Sequence, residues 1–101
     1  MSLYAFHCRD GAEAGRLRTE HLQLHLHHVE ANIERYAVAG PLKSGDKTVG
    51  SLVIVEAEDE AEARRFFEHD PYFIAGVWAD IHVAEFRGVA GDWVGGAVWK
   101  A

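Results

Sequence analysis

Apolar residues recur along this chain in two rhythms, one suited to strands and one to helices. Residues 3–8 (Leu-Tyr-Ala-Phe-His-Cys) are short, apolar and aromatic, and Arg9-Asp10-Gly11 supplies the turn chemistry to end a first strand. From Ala14 the spacing lengthens. Leu22, Leu26, Val29 and Ile33 recur at intervals of four, three and four, which puts them on one face of a long amphipathic helix. Residues 36–42 read as a second strand ending at Gly40-Pro41, since a proline removes a ladder donor and suits a strand end or edge. Ser44-Gly45-Asp46 then turns the chain into a third strand over residues 48–56, making a hairpin. Asp59 and Glu62 have the spacing of a helix cap and its third-position carboxylate, with Ala63, Phe66 and Phe67 as an apolar stripe behind them. After Asp70-Pro71-Tyr72, residues 77–86 set Val77, Ala79, Ile81 and Val83 against Trp78, Asp80, His82 and Ala84, the period of a last strand. The order βαββαβ predicts a ferredoxin-like α+β fold, a four-stranded antiparallel sheet with both helices on one face.

That arrangement leaves a sheet face to account for. Leu52 and Ile54 point one way and Val53 and Val55 the other, and Tyr4 and Phe6 likewise oppose Leu3 and Ala5, so both faces are apolar. Two helices cover only one face, and a bare apolar sheet exceeds what a monomer usually exposes. The expectation is a homodimer packed sheet to sheet. The Gly/Trp-rich segment 88–101, carrying Trp93, Val94, Val98 and Trp99, is the alternative cover, folding over this sheet or the partner's. The expected organisation is therefore one domain over residues 1–87 with a C-terminal extension over 88–101. A chain of 101 residues supports one core of this size.

Composition narrows the setting. The apolar share of 49% and charged share of 26% are those of a globular protein, and no apolar run is long enough to span a bilayer. The N-terminus lacks the basic segment, apolar stretch and cleavage site of a secretory signal, so cytoplasmic residence is expected. Cys8 stands alone, which excludes an intrachain disulfide and reads more simply as a small buried hydrophobe than as a nucleophile. A formal charge of −6 without a basic cluster argues against a nucleic-acid surface. No glycine-rich strand-to-helix turn is spaced to cradle phosphates, and no nucleophile elbow is present, so neither a nucleotide cofactor nor acyl chemistry is expected.

The sharpest local anomaly is the stretch from His21 to His28, in which His21, His25 and His28 share a band beside the leucine stripe and His27 points elsewhere. Three imidazoles so placed could converge on a metal, or could simply line the rim of the helix; with no Glu or Cys ligand at a motif spacing nearby, no metal is expected. Asp70 has two readings of its own. It could orient a histidine by bonding one ring nitrogen and raising the basicity of the other, or, standing before a proline, it could only cap a short helix. The two roles are compatible, because a cap uses one carboxylate oxygen. Arg18, three residues before His21, could anchor a substrate anion or lie solvated on the surface.

Taken together, Arg18-x-x-His21-Leu22, Ala39-Gly40-Pro41-Leu42 and Asp70-Pro71-Tyr72-x-x-Ala75-Gly76-Val77 resemble the YCII-related family over nearly the whole chain to Phe86. The resemblance implies a ferredoxin-like dimeric α/β barrel. It also implies an acid/base dyad of the helix-one histidine with the Asp of the Asp-Pro-Tyr segment, here His21 and Asp70, with Arg18, Gly40, Pro41 and Tyr72 around the substrate. Relatives include an enzyme that eliminates chloride from a hydroxylated aromatic ring, and the wider fold includes muconolactone isomerase. The implied function is elimination or isomerisation on a small cyclic or aromatic acid or phenol, of lyase or isomerase type and without a cofactor. The competing reading is a non-catalytic homodimer that binds a small metabolite or regulates a partner. The extra histidines and the tail after Phe86 depart from the family pattern.

Overall fold

The computed structural model describes residues 1–100; Ala101, the last residue of the expected extension, lies outside them. Four strands, β1 (Ser2–Asp10), β2 (Tyr36–Ser44), β3 (Lys47–Ala57) and β4 (Trp78–Phe86), form one sheet in the order β2-β3-β1-β4. Each neighbouring pair is antiparallel. Between them lie α1 (Ala14–Ala31), α2 (Glu60–Phe67) and the short α3 (Pro71–Ala75). The fold is the ferredoxin-like α+β architecture that the pattern predicts, with one helix more, grown from the Asp70-Pro71 start.

Local chemistry accounts for the element ends. The Asp59 carboxylate accepts from the Glu62 backbone N–H at 2.8 Å, while the Glu62 carboxylate reaches back to the N–H of Glu58. Asp70 caps α3, Pro71 occupies its first turn where a missing N–H costs nothing, and Gly76 ends it at φ +80°, a conformation an L side chain resists. Ile33 falls beyond α1, in a 3₁₀ turn over Ile33–Arg35.

The core lies between the sheet and the helices. Phe6 stacks on Phe67 at 4.2 Å, and Phe67 in turn stacks on Trp78. The strict alternation expected in the last strand assigned Trp78 to the face opposite Ile81 and Val83. It is instead buried with them on the helix side, because the β1–β4 register shifts at Arg9/Asp10, placing Asp10 opposite Trp78 where Arg9 faces Asp80. Helix α1 departs from a simple amphipathic element. Only Ala14 is fully buried, and Leu22 and Leu26 are 41% and 43% exposed, so the middle of the helix stands off the sheet. The opposite sheet face carries Leu3, Leu52 and Ile54. The tail forms a small ribbon of β5 (Ala90–Gly91) and β6 (Gly96–Ala97) beside that face, with Val94 against Gly88 and the Val98 N–H donating to Val89. Trp93 and Trp99 point largely to solvent. Among the described residues no helix is long and apolar enough to cross a membrane.

Candidate active site

The gap left by α1 is a cleft of about 330 Å³, the size of a small-molecule site. Leu22, Leu26 and Val29 form its helix wall; Ala39, Gly40, Pro41 and Val53 form its sheet wall. Arg18, Ser51, His25, Asp70, Tyr72, Tyr36 and Trp78 supply its polar and aromatic groups.

At its floor is a carboxylate almost wholly removed from water. Asp70 is 3% exposed, and a buried carboxylate needs partners to stay in an apolar surrounding. Two are present on the same oxygen: the Tyr72 backbone N–H donates to Oδ1 at 2.8 Å, and His25 Nδ1 lies 2.8 Å from it. An ionised carboxylate only accepts, so the imidazole proton resides on Nδ1 and Nε2 is left as the basic nitrogen. Tyr72 fixes the ring plane as well, stacking on His25 with centroids 3.8 Å apart and planes 3° from parallel. Asp70 is thus both the cap of α3 and the partner of a histidine.

The histidine is not the expected one. His21 does not meet Asp70; its Nε2 lies 3.9 Å from a Glu20 carboxylate oxygen, and it is not among the cleft-lining residues. Helix α1 crosses the start of α3 one turn further along, which brings His25 level with Asp70. Spacing alone placed both rings in one band and could not say which turn sits opposite Asp70; the only signal for His25 was its place in that band.

Arg18 is held rather than solvated. Its guanidinium donates to both Asp10 oxygens at 3.1 and 2.8 Å, to the Gly50 carbonyl and to Ser51 Oγ, and it lies over the Tyr72 ring. Its charge is therefore matched inside the fold by Asp10. The Tyr72 hydroxyl donates to the Arg18 carbonyl at 3.1 Å, tying α3 to α1. Gly40, Pro41 and Tyr72 all border the cleft, as does Arg18.

Burial tunes the neighbouring groups. It pushes the Cys8 thiol up to about 12, with the Asp70 charge adding to the effect. The Tyr36 phenol is raised to about 12 by burial and then by Asp70, and Tyr72 is raised by burial. His28 is lowered by burial, and its Nε2 is shut from solvent without a hydrogen-bond partner among the described residues, its ring tilted against Phe66. His25 is committed to Asp70, and among the described residues no three His, Cys, Asp or Glu side chains gather as a metal site.

The model of the YCII-related domain matches residues 2–87. The chain belongs to the YCII-related family. No curated protein matches it. Among solved structures it is similar to 5-chloro-2-hydroxyhydroquinone dehydrochlorinase (TftG) from Burkholderia phenoliruptrix AC1100, determined in complex with 2,5-dihydroxybenzoquinone. The two are 26% identical with a TM-score of 0.75, over 89% of this chain and 96% of that one. The YCII-related match agrees with the family expected from the Arg18, Gly40-Pro41 and Asp70-Pro71-Tyr72 segments.

Proposed function

We propose that this YCII-related protein is a lyase- or isomerase-type enzyme acting on a small hydroxylated or acidic ring, with His25 as general base and Asp70 as its partner. The observation that carries the reading is the 2.8 Å contact of His25 Nδ1 with a buried Asp70, on the floor of a mostly apolar cleft. His25 Nε2 takes a proton from a ring hydroxyl or carbon, and Asp70 stabilises the imidazolium so formed. The likeness to a dehydrochlorinase favours elimination, in which the abstracted proton and a leaving group depart from one ring. Arg18, Gly40, Pro41 and Tyr72 shape the walls around the substrate.

The test is turnover of a panel of hydroxyhydroquinones with and without a ring chlorine, followed by chloride release and ring absorbance. His25→Ala and Asp70→Asn are expected to reduce the rate about 10²–10⁴-fold. Unchanged turnover in both variants overturns the assignment. The hydrogen bond from Tyr72 N–H to Asp70 favours a second reading, in which the pair is structural and the protein binds a small metabolite without turning it over. That reading expects no turnover of any ring and a stability loss in Asp70→Ala.

We further propose that the protein is a cytoplasmic homodimer. The free state of Cys8 fits a reducing compartment. The apolar outer sheet face and the exposed Phe86 support sheet-to-sheet pairing, with the extension over 88–101 packing at its rim. Sedimentation of the intact chain and of one ending at Arg87 tests both points, and a monomer in both cases removes the dimer.

A further inference from the structure

We infer that the Tyr36 hydroxyl is the hydrogen-bond donor for the ligand oxygen on which negative charge grows as His25 removes a proton. The inference rests on the reading of His25 as a base and adds a second group that touches the substrate, on the opposite wall of the cleft. Most of the cleft's polar groups are already committed within the fold. Arg18 is spent on Asp10, Gly50 and Ser51. The Tyr72 hydroxyl is spent on the Arg18 carbonyl, and Asp70 on His25 and Tyr72. Trp78 Nε1 has no partner among the described residues but is closed off from solvent, so a ligand cannot reach it without rearrangement.

Tyr36 stands apart from all of these. It lines the cleft from the start of β2 and is half-buried, and among the described residues its hydroxyl has no hydrogen-bond partner. Its ring is set edge-on to Phe66 at 5.5 Å, which holds the phenol in place without using its polar end. Burial, and then the Asp70 charge, raise it to about 12, so at neutral pH it is a donor and not a second base. Tyr36 and His25 line the same cleft, and the Asp70 charge that His25 meets also raises the Tyr36 phenol.

The chemistry balances without a co-reactant. The proton passes from a ligand hydroxyl to His25 Nε2, and the electron pair stays on the ligand and spreads through the conjugated ring to an oxygen facing Tyr36. Tyr36 keeps its own proton and donates a hydrogen bond that strengthens as that oxygen becomes anionic. The ligand class is accordingly a conjugated ring bearing oxygens on two sides, one for each wall.

The experiment uses 2,5-dihydroxybenzoquinone as probe, titrated by absorbance into the wild-type protein, Tyr36→Phe and His25→Ala, with folding checked by circular dichroism and thermal melting. The phenylalanine keeps the ring on Phe66 and removes only the hydroxyl. Loss of a hydrogen bond to a charged oxygen is expected to weaken binding about 10- to 100-fold and to shift the absorbance of the bound probe. Wild-type affinity and spectrum in a folded Tyr36→Phe protein overturn the role of Tyr36 alone, provided His25→Ala still loses binding. Indifference of both variants, or no binding by the wild type at millimolar probe, overturns the inference together with the proposed function.

Discussion

The Tyr72 ring lies flat on the His25 imidazole while the Tyr72 backbone N–H holds the carboxylate that His25 also meets. One residue therefore fixes both the plane of the histidine and the position of its partner. The stacked face is also where a cation is favoured, so an imidazolium formed there would meet an anion at one edge and a π-face below.

The two helix-one histidines should separate sharply in kinetics. His25→Ala is expected to lose about 10²–10⁴-fold in kcat/KM, because it removes the proposed base. His21→Ala is expected to stay within a few-fold of wild type, since His21 lies beside Glu20 and outside the cleft. Steady-state rates on the same substrate check this, and the reverse order would return the base to His21.

Asp70 can be divided into its two roles by stability. Asn serves as well as Asp at a helix cap, so Asp70→Asn should retain the α3 start, whereas Asp70→Ala loses the cap and leaves Tyr72 N–H and His25 Nδ1 without an acceptor. Urea unfolding is expected to show the alanine variant less stable than the asparagine variant by about 1–3 kcal/mol.

Alkaline pH should destabilise the fold. Cys8 and Tyr36 are both raised to about 12, from ordinary values of 9.0 and 10.0, so each holds its proton in the native state at a pH where the unfolded chain has released it. The stability each contributes is complete below its ordinary value and is lost as pH rises toward about 12. Unfolding midpoints between these limits should fall with pH, and less steeply in Cys8→Ala. The buried thiol should resist alkylation until the protein unfolds.

His28 sets the acid side. Burial lowers it from 6.5, so it is neutral in the fold and ready to charge in the unfolded chain; the resulting stability is present above 6.5 and declines as pH falls below it. Because its Nε2 has no partner among the described residues, His28→Leu should keep or raise stability at pH 7 while flattening the loss toward pH 5. Thermal melts over that range read the difference.

Much of the fold was legible from residue pattern. The Asp59–Glu62 spacing, the Ser44-Gly45-Asp46 turn and the Asp70-Pro71 start each act locally, within a few residues, and each forms as its chemistry requires. What the pattern could not carry was set by packing between distant segments. The turn of α1 that faces α3 depends on how the helix lies over the sheet, which decides His25 over His21. The side of the sheet taken by Trp78 depends on a register shift against β1 that no periodicity within the last strand records. Cys8 is buried in the core, as a small hydrophobe would be.

The half-exposed leucines of α1 carry a practical consequence. A helix that leaves Leu22 and Leu26 facing an open cleft has an unfinished core, and an apolar ring entering it supplies the missing layer between helix and sheet. Occupancy and folding are then linked, and a ligand at a hundred times its Kd raises stability by about 2.7 kcal/mol. The melting temperature of the protein thereby becomes a detector for whatever enters the cleft, able to rank unlabelled compounds by their occupancy.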